Sequence, residues 1–265
     1  MTWVAAADFR RAKDEGHRSH PCQVYGKVEH LDDRIMIGAV AAGSSRARLS
    51  HVGARLAVRA ALGHLRSASA RAGAAASDTT GHDARALYLT TIEAIQDELR
   101  SAVVDHVAPL HEFATTLSVF IAVPTGVAAM QIGSGLMVTR SRSGDYSVLF
   151  SDGVGADGGE AGFITDRDPA GRMQVSVQSG PVQFLCAASA PLDRLSLRRR
   201  DGSPQKEFFG PLDRHASAAP DDGDVHRAIR AFLRSDRVNG RMEQDFALAL
   251  CGYRRQGDLF GASAA

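Results

Sequence analysis

Three acidic residues stand in a glycine-rich stretch, SDGVGADGGEAGF, at positions 151–163. Asp152, Asp157 and Glu160 supply carboxylate oxygens, the ligands that Ca²⁺ and Mg²⁺ prefer, and the glycines would permit the tight turns of a cation-binding loop. Their spacing, however, fits no standard calcium motif. We therefore favour a flexible loop that contacts solvent or a partner over a metal site.

Two short basic runs are candidates for binding anionic groups, LSLRRRDG at 195–202 and GYRRQG at 252–257. Such runs are most often solvated faces of a protein. The guanidinium groups of Arg198, Arg199 and Arg200 are alternatively suited to a phosphorylated segment or an acidic partner.

The three cysteines, Cys22, Cys186 and Cys251, are far apart in the chain, and two of them lie within apolar runs. An odd number of widely spaced cysteines predicts buried, reduced thiols rather than a disulfide framework or a zinc site. Reduced thiols are typical of a reducing compartment.

The composition is that of an ordinary soluble protein, with 265 residues, 44% of them hydrophobic and 23% charged. Because 31 basic residues face 30 acidic ones, no global field would recruit nucleic acid or an anionic membrane. The apolar start of the chain is too short for a signal peptide, and no segment approaches the roughly 20 apolar residues of a membrane span. We expect a cytoplasmic protein with a single domain over 1–265 and a flexible tail at 255–265.

The pattern of apolar residues predicts β-structure, two helices, a series of short strands, further helices and a last strand. The stretch TWVAAA at the start predicts a short edge strand. Strands are predicted at 34–42 and 245–253, helices at 50–68, 84–107, 190–197 and 222–234, a loop at 67–83, and consecutive antiparallel strands between 114 and 190. This order favours an α+β fold in which antiparallel sheets are covered by helix pairs.

Five short motifs carry a family resemblance. They are GHRSHPCQV, AVAAGSSRARLSHVGARLAV, ATTLSVFIAVPTGVAAMQIGSG, FLCAASAPLDRLSL and FFGPLDRH with the later RVNGRMEQDFALAL. In this order and spacing they resemble the motifs of the bacterial protein phosphatase 2C family, from His20 to Leu250. The resemblance implies a sandwich of two antiparallel β-sheets flanked by pairs of α-helices, and a mobile flap beside the cleft at the glycine-rich loop.

The resemblance also implies a chemistry. Members of the family are metal-dependent Ser/Thr phosphatases that hold two Mn²⁺ or Mg²⁺ ions with aspartates and one backbone carbonyl, and the bridging water attacks the phosphoester. Gly43, at the position of the carbonyl donor, is kept. The aspartate positions carry other residues here, namely Val24, Ala42, Ser134, Ala190 and Gln244. A shift of one residue in the last motif would bring Asp245 or Glu243 there in place of Gln244.

These departures predict that metal binding is lost. Methyl, isopropyl, hydroxyl and amide groups leave almost nothing anionic to displace the water of a hard divalent ion. We therefore expect no metal cofactor and a catalytically inactive member, a pseudophosphatase, that acts as a binding or regulatory module. The resemblance implies a protein partner, either a Ser/Thr kinase, a von Willebrand A domain protein or a phosphoprotein.

Other interpretations of the same residues stay open. Without the resemblance, Ala42 is a small residue at a strand end and Val24 a β-former. The alternative function is a hydrolase with a rearranged metal site that uses Glu243, Asp245, Asp152 or a histidine.

Five histidines lie near the motifs. His17, His20 and His30 would form a nitrogen site beside the former metal positions, although solvated or capping histidines are the favoured interpretation. His106 and His111 flank a predicted helix end, which they would cap or solvate.

Overall fold

Ten strands form two five-stranded antiparallel sheets with helices on both outer faces, in a computed structural model that describes residues 2–12, 21–72, 81–150, 162–239 and 244–254. The strands are β1 (Thr2–Arg10), β2 (Val24–His30), β3 (Met36–Gly43), β4 (Thr115–Val123), β5 (Gly126–Ile132), β6 (Leu136–Ser141), β7 (Tyr146–Val148), β8 (Gln174–Ser179), β9 (Val182–Ala188) and β10 (Phe246–Arg254). The helices are α1 (Ser50–Ala72), α2 (Gly81–Asp105), α3 (Asp193–Ser196), α4 (Lys206–Ala218), α5 (Asp222–Arg234) and α6 (Asp236–Asn239). This architecture confirms the predicted α+β sandwich.

The two sheets stack face to face. One has the order β2-β3-β4-β5-β8 and the other the order β1-β10-β9-β6-β7. Strand β10 is buried on both faces of its sheet. Ala247, Ala249 and Cys251 point into the layer between the sheets, while Leu248 and Leu250 face the helices. Because side chains alternate along a strand, the continuous apolar run of this segment is that of a strand covered on both faces.

Helices α1 and α2 cover the first sheet, and α4 and α5 cover the second. The first pair buries residues such as Leu62 and Ile95, and the hydroxyl of Tyr88 donates a hydrogen bond to the carbonyl of Ala128 at 2.7 Å. Each helix therefore contributes an apolar stripe to a core that its sheet completes. Of the helices that the structure describes, none is long and apolar enough to cross a membrane.

Strand β1 lies at a sheet edge, as the sequence predicts, and α5 is anchored on it. The carboxylate of Asp222, in the first turn of α5, accepts a hydrogen bond from the Ala5 backbone N–H at 2.8 Å and contacts the His30 ring at 2.9 Å. The Asp8 carboxylate accepts from the Phe9 N–H at 2.8 Å. Two outward-facing N–H groups of the edge strand are thus bonded to carboxylates.

Several sequence-based expectations need correction. The predicted loop at 67–83 is helical at both of its described ends, because α1 continues to Ala72 and α2 starts at Gly81; residues 73–80 lie outside the described part. Helix α4 was not predicted, since Gly210 and Pro211 interrupt its pattern. Strand β2 was missed because four of its seven residues are polar or glycine.

The strands between 114 and 190 are antiparallel, but they are not a simple consecutive series. Strand β5 pairs with β4 and β8, whereas β6 pairs with β7 and β9 in the other sheet. The chain therefore changes sheet at the turn Gly133-Ser134-Gly135, which periodicity alone does not reveal. The predicted tail at 255–265 lies outside the described residues.

A buried ion pair holds α4 against the second sheet. The Arg140 guanidinium of β6 donates two hydrogen bonds to the Asp213 carboxylate, and Tyr146 and Ser217 donate to the same carboxylate at 2.7 and 3.2 Å. The Arg140 side chain is 17% exposed and that of Asp213 is 7% exposed. Hydrogen bonding to Asp213 raises the pKa of Arg140, so the guanidinium keeps its charge at any ordinary pH.

Replacing Asp213 by Asn should lower the free energy of unfolding by about 3 kcal/mol or more, because the variant leaves the Arg140 charge buried without its counterion. Urea denaturation measures this. The matched control is Asp97→Asn in the exposed pair with Arg100, which should cost less than about 0.5 kcal/mol. Equal losses in the two variants would contradict a structural role for the buried pair.

Candidate functional site

One end of the sandwich collects strand ends from both sheets. Strand β2 begins there at Val24, directly opposite Ala42 near the end of β3, and Ala42 in turn lies opposite Thr116 near the start of β4. The β5–β6 turn, the end of β9 and the start of β10 reach the same end, because neighbouring strands run in opposite directions.

A cleft with a volume of about 610 Å³ opens at this end. It brings together all six positions that the family motifs single out, which are Val24, Ala42, Gly43, Ser134, Ala190 and Gln244. The wall also contains Arg11, Ala12, Pro21, Gln23, Ser44, Ser45, Thr116, Phe163, Pro191 and Asp245. Six positions spread over 221 residues of sequence, from 24 to 244, therefore share one surface depression.

The other sequence candidates are placed differently. Asp152, Asp157 and Glu160 lie outside the described residues, as do Glu243, His17 and His20. His30 is at the opposite end of β2, on Asp222, so the suggestion that it belongs to a nitrogen site at the cleft is wrong. His106 follows α2, where its ring packs edge-on against Phe113 with centroids 5.7 Å apart, and His111 lies in the next 3-10 turn.

Val24 and Ala42 extend the layer between the sheets up to the cleft floor. The Val24 side chain is 5% exposed, and Ala42 packs against the same cluster. The Thr116 hydroxyl donates to the Ala42 carbonyl at 3.3 Å, and the Gly43 N–H donates to the Gln23 carbonyl at 2.8 Å. The floor is thus closed by apolar packing and backbone hydrogen bonds.

Gln131 fixes the turn that carries Ser134. Its buried side-chain amide donates to the carbonyls of Gly133 and Gly135 at 3.1 and 3.3 Å. Gly133 has a φ of +80°, and a Cβ there would lie 2.3 Å from the Gly162 carbonyl oxygen, so only glycine fits. The role of Gln131 was missed by sequence reasoning, although a glutamine in an otherwise apolar strand is the signal that marks it.

Asp245 is the carboxylate that the described residues bring to the cleft. Its Oδ1 accepts from the Ala12 N–H at 2.9 Å and its Oδ2 accepts from the Gln23 N–H at 2.7 Å, so it joins the end of β1 to the start of β2. Both carboxylate oxygens of Asp245 are therefore engaged with the backbone. Burial raises the pKa of the neighbouring Cys22 thiol to about 11, and the Asp245 charge acts in the same direction.

The described cleft residues do not fit a pair of Mn²⁺ or Mg²⁺ ions. Such ions take several anionic oxygens, whereas Val24, Ala42, Ala190, Ser134 and Gln244 bring three aliphatic side chains, one hydroxyl and one amide to the cleft. Among the residues that the structure describes, no group of three or more His, Cys, Asp or Glu side chains is arranged to hold a metal ion.

The fold is similar to that of bacterial Ser/Thr phosphatases of known structure. A bacterial serine phosphatase superposes with a TM-score of 0.63 at 11% identity, over 94% of this chain and 96% of that one. The Mycobacterium tuberculosis phosphatase PstP/Ppp gives 0.60 at 14% identity, over 96% and 100%. The catalytic domain of PstP in complex with two manganese ions gives 0.58 at 15% identity, over 95% and 99%.

These identities are low enough that the structural matches establish the fold alone. The sequence profile described as "Protein phosphatase 2C" matches residues 13–234. The chain therefore belongs to the protein phosphatase 2C family, as its motifs predicted. A search of curated proteins finds no match.

Replacing Asp245 by Asn should lower the free energy of unfolding by about 1–3 kcal/mol, because an amide offers one acceptor oxygen where the carboxylate offers two. Urea denaturation measures the loss. The neighbouring variant Gln244→Ala is the control, since Gln244 is exposed and should change stability by less than about 0.5 kcal/mol. Unchanged stability in Asp245→Asn would contradict the clamp between β1 and β2.

Proposed function

We propose that this protein is a pseudophosphatase: a protein phosphatase 2C fold that binds a protein partner without hydrolysing a phosphoester. The observation that carries the proposal is the convergence of Val24, Ala42, Ser134, Ala190 and Gln244 on one cleft. We propose that these are the positions of the family's metal-binding aspartates, as the motif resemblance implies. Asp245, the carboxylate beside them, bonds two backbone N–H groups.

Hydrolysis in this family depends on the metals, because they lower the pKa of the attacking water and neutralise the phosphoryl oxygens. Neither Val24 nor Ala42 offers a ligand atom, and Ser134 and Gln244 offer neutral oxygens. A cluster of carboxylates needs its cations to offset charge repulsion, whereas the aliphatic floor formed by Val24 and Ala42 needs none. These features support a cleft that is stable without metal ions.

The cleft retains groups suited to holding a polar or anionic segment. Its described wall offers hydroxyls, side-chain amides and one guanidinium, from Ser44, Ser45, Ser134, Gln23, Gln244 and Arg11. These are hydrogen-bond donors that bind a phosphoryl or carboxylate oxygen directly. We propose a phosphoprotein, a Ser/Thr kinase or a von Willebrand A domain protein as the partner, in the cytoplasm.

Adding excess MnCl₂ or MgCl₂ should leave the melting temperature unchanged, because a ligand that does not bind the native state does not stabilise it. Differential scanning calorimetry measures this. The same preparations should release no nitrophenolate from para-nitrophenyl phosphate. Manganese-dependent turnover that disappears in Asp245→Asn or Glu243→Gln would overturn the proposal and establish a hydrolase with a rearranged metal site.

Ala42→Asp alone should not create activity, because the other anionic ligands remain absent. The triple variant Val24→Asp, Ala42→Asp and Ser134→Asp should melt earlier than the parent, and Mn²⁺ should recover part of the loss by neutralising the new carboxylates. The control carries Asn at the same three positions and should melt earlier without recovery by Mn²⁺. A metal response of the same size in the parent chain would contradict the assignment of these positions.

A further inference from the structure

A short loop between α3 and α4 presents three consecutive arginines. We call residues 197–205, with the sequence LRRRDGSPQ, the arginine loop. Its two arms pair as an isolated antiparallel bridge between Leu197 and Pro204. Arg198, Arg199 and Arg200 are all exposed at the tip. The proposed function of the cleft makes no use of them.

The backbone of the arginine loop is fixed by its own hydrogen bonds. The Arg198 N–H donates to the Ser203 carbonyl at 2.8 Å, and the Gly202 N–H donates to the Arg198 carbonyl at 2.9 Å. Gln205 closes the base, where its N–H donates to the Ser196 carbonyl and its side-chain amide to the Leu197 carbonyl, both at 2.8 Å. Gly202 adopts the left-handed conformation, φ +66°, that this tight turn requires.

The positive charges of the three arginines at the tip are not balanced by an equal number of carboxylates in the loop. Asp201 is the one acidic residue of the loop sequence, and its Oδ1 accepts from the Ser203 N–H at 3.0 Å and from the Ser203 hydroxyl at 2.6 Å. These hydrogen bonds, with a smaller contribution from the Arg198 charge, lower the pKa of Asp201. None of the three arginines forms an ion pair with a carboxylate in the described part of the chain.

We propose that the arginine loop binds an acidic segment of a protein partner, one that carries clustered carboxylates or a phosphoryl group. Guanidinium groups donate paired hydrogen bonds in a fixed fork that matches the oxygens of both anions. Because the loop backbone is ordered before binding, less conformational entropy is lost when the arginines engage a ligand.

Two other polyanions fit the loop less well. An anionic membrane surface is held by apolar side chains as well as by charge, but Leu195 and Leu197 pack inward against the cluster under α4 and α5. Nucleic acid binding gains its strength from many phosphate contacts over a broad basic surface, whereas this chain has a formal net charge of only +1. Three consecutive arginines on one loop offer few contacts, which suits a short acidic protein segment.

The test is fluorescence anisotropy with labelled peptides: one with a phosphoserine, one rich in Asp and Glu, and one neutral. The variant Arg198→Gln/Arg199→Gln/Arg200→Gln removes the tip charges. The matched control is Arg59→Gln/Arg71→Gln/Arg85→Gln, which removes the same charge from exposed arginines of α1 and α2. Melting curves establish that both variants are folded, as expected for exposed substitutions.

We expect the intact chain to bind at least one of the two acidic peptides and not the neutral one. The tip variant should bind about tenfold more weakly or worse, as loss of charge-assisted hydrogen bonds predicts, while the control changes little. The preferred peptide identifies carboxylates or phosphate as the source of the anion.

Three results would overturn the proposal: no binding of either acidic peptide at low salt, equal weakening in the two triple variants, or tip-dependent binding that is tighter for single-stranded RNA or phosphatidylglycerol vesicles than for both peptides. The experiment measures peptide affinity at the tip of the arginine loop. Its outcome therefore does not depend on whether the cleft hydrolyses a phosphoester.

Discussion

Antiparallel register is the constraint on which the cleft depends. The pairs Val24 with Ala42 and Ala42 with Thr116 lie in consecutive strands of one sheet, so their side chains share one end of that sheet whatever the intervening loops do. A slip of one residue in either pair would turn the floor residues to the opposite face. On β3, Ile37, Ala39 and Ala41 pack under the helices while Met36 and Val40 face the second sheet, so a slip would exchange the residues of these two packed faces.

The floor of the cleft behaves as an extension of the core. Val24 and Ala42 pack against the layer between the sheets, and Asp245, the carboxylate within the last motif, bonds the backbone at two strand ends. Under the proposed assignment of the cleft positions, packing and backbone hydrogen bonding replace charge at this site. The proposed loss of hydrolysis and the proposed independence from metals follow from the same exchange.

Much of this arrangement was predictable from the sequence because the motifs are ordered and spaced as in the family. They located the six cleft positions, and the hydrophobic patterns located α1, α2, α5 and most strands. Helix α4 could not be predicted because Gly210 and Pro211 interrupt its pattern, and the buried partner of its Asp213, Arg140, is distant in the sequence. The sequence also does not determine whether Gln244 or Asp245 matches the aspartate of the last family motif, and both residues line the cleft. Only the three-dimensional contacts reveal that Asp245 is engaged with the backbone.

The carboxylates on the outer edge of β1 have a consequence for the behaviour of the protein in concentrated solution. An exposed edge strand is a template on which another chain can add its own strand. Asp222 and Asp8 occupy the N–H groups of Ala5 and Phe9, and each brings a negative charge to a row of backbone groups that would otherwise recruit a β-strand. The anchoring of α5 therefore also protects the sandwich against edge-to-edge aggregation.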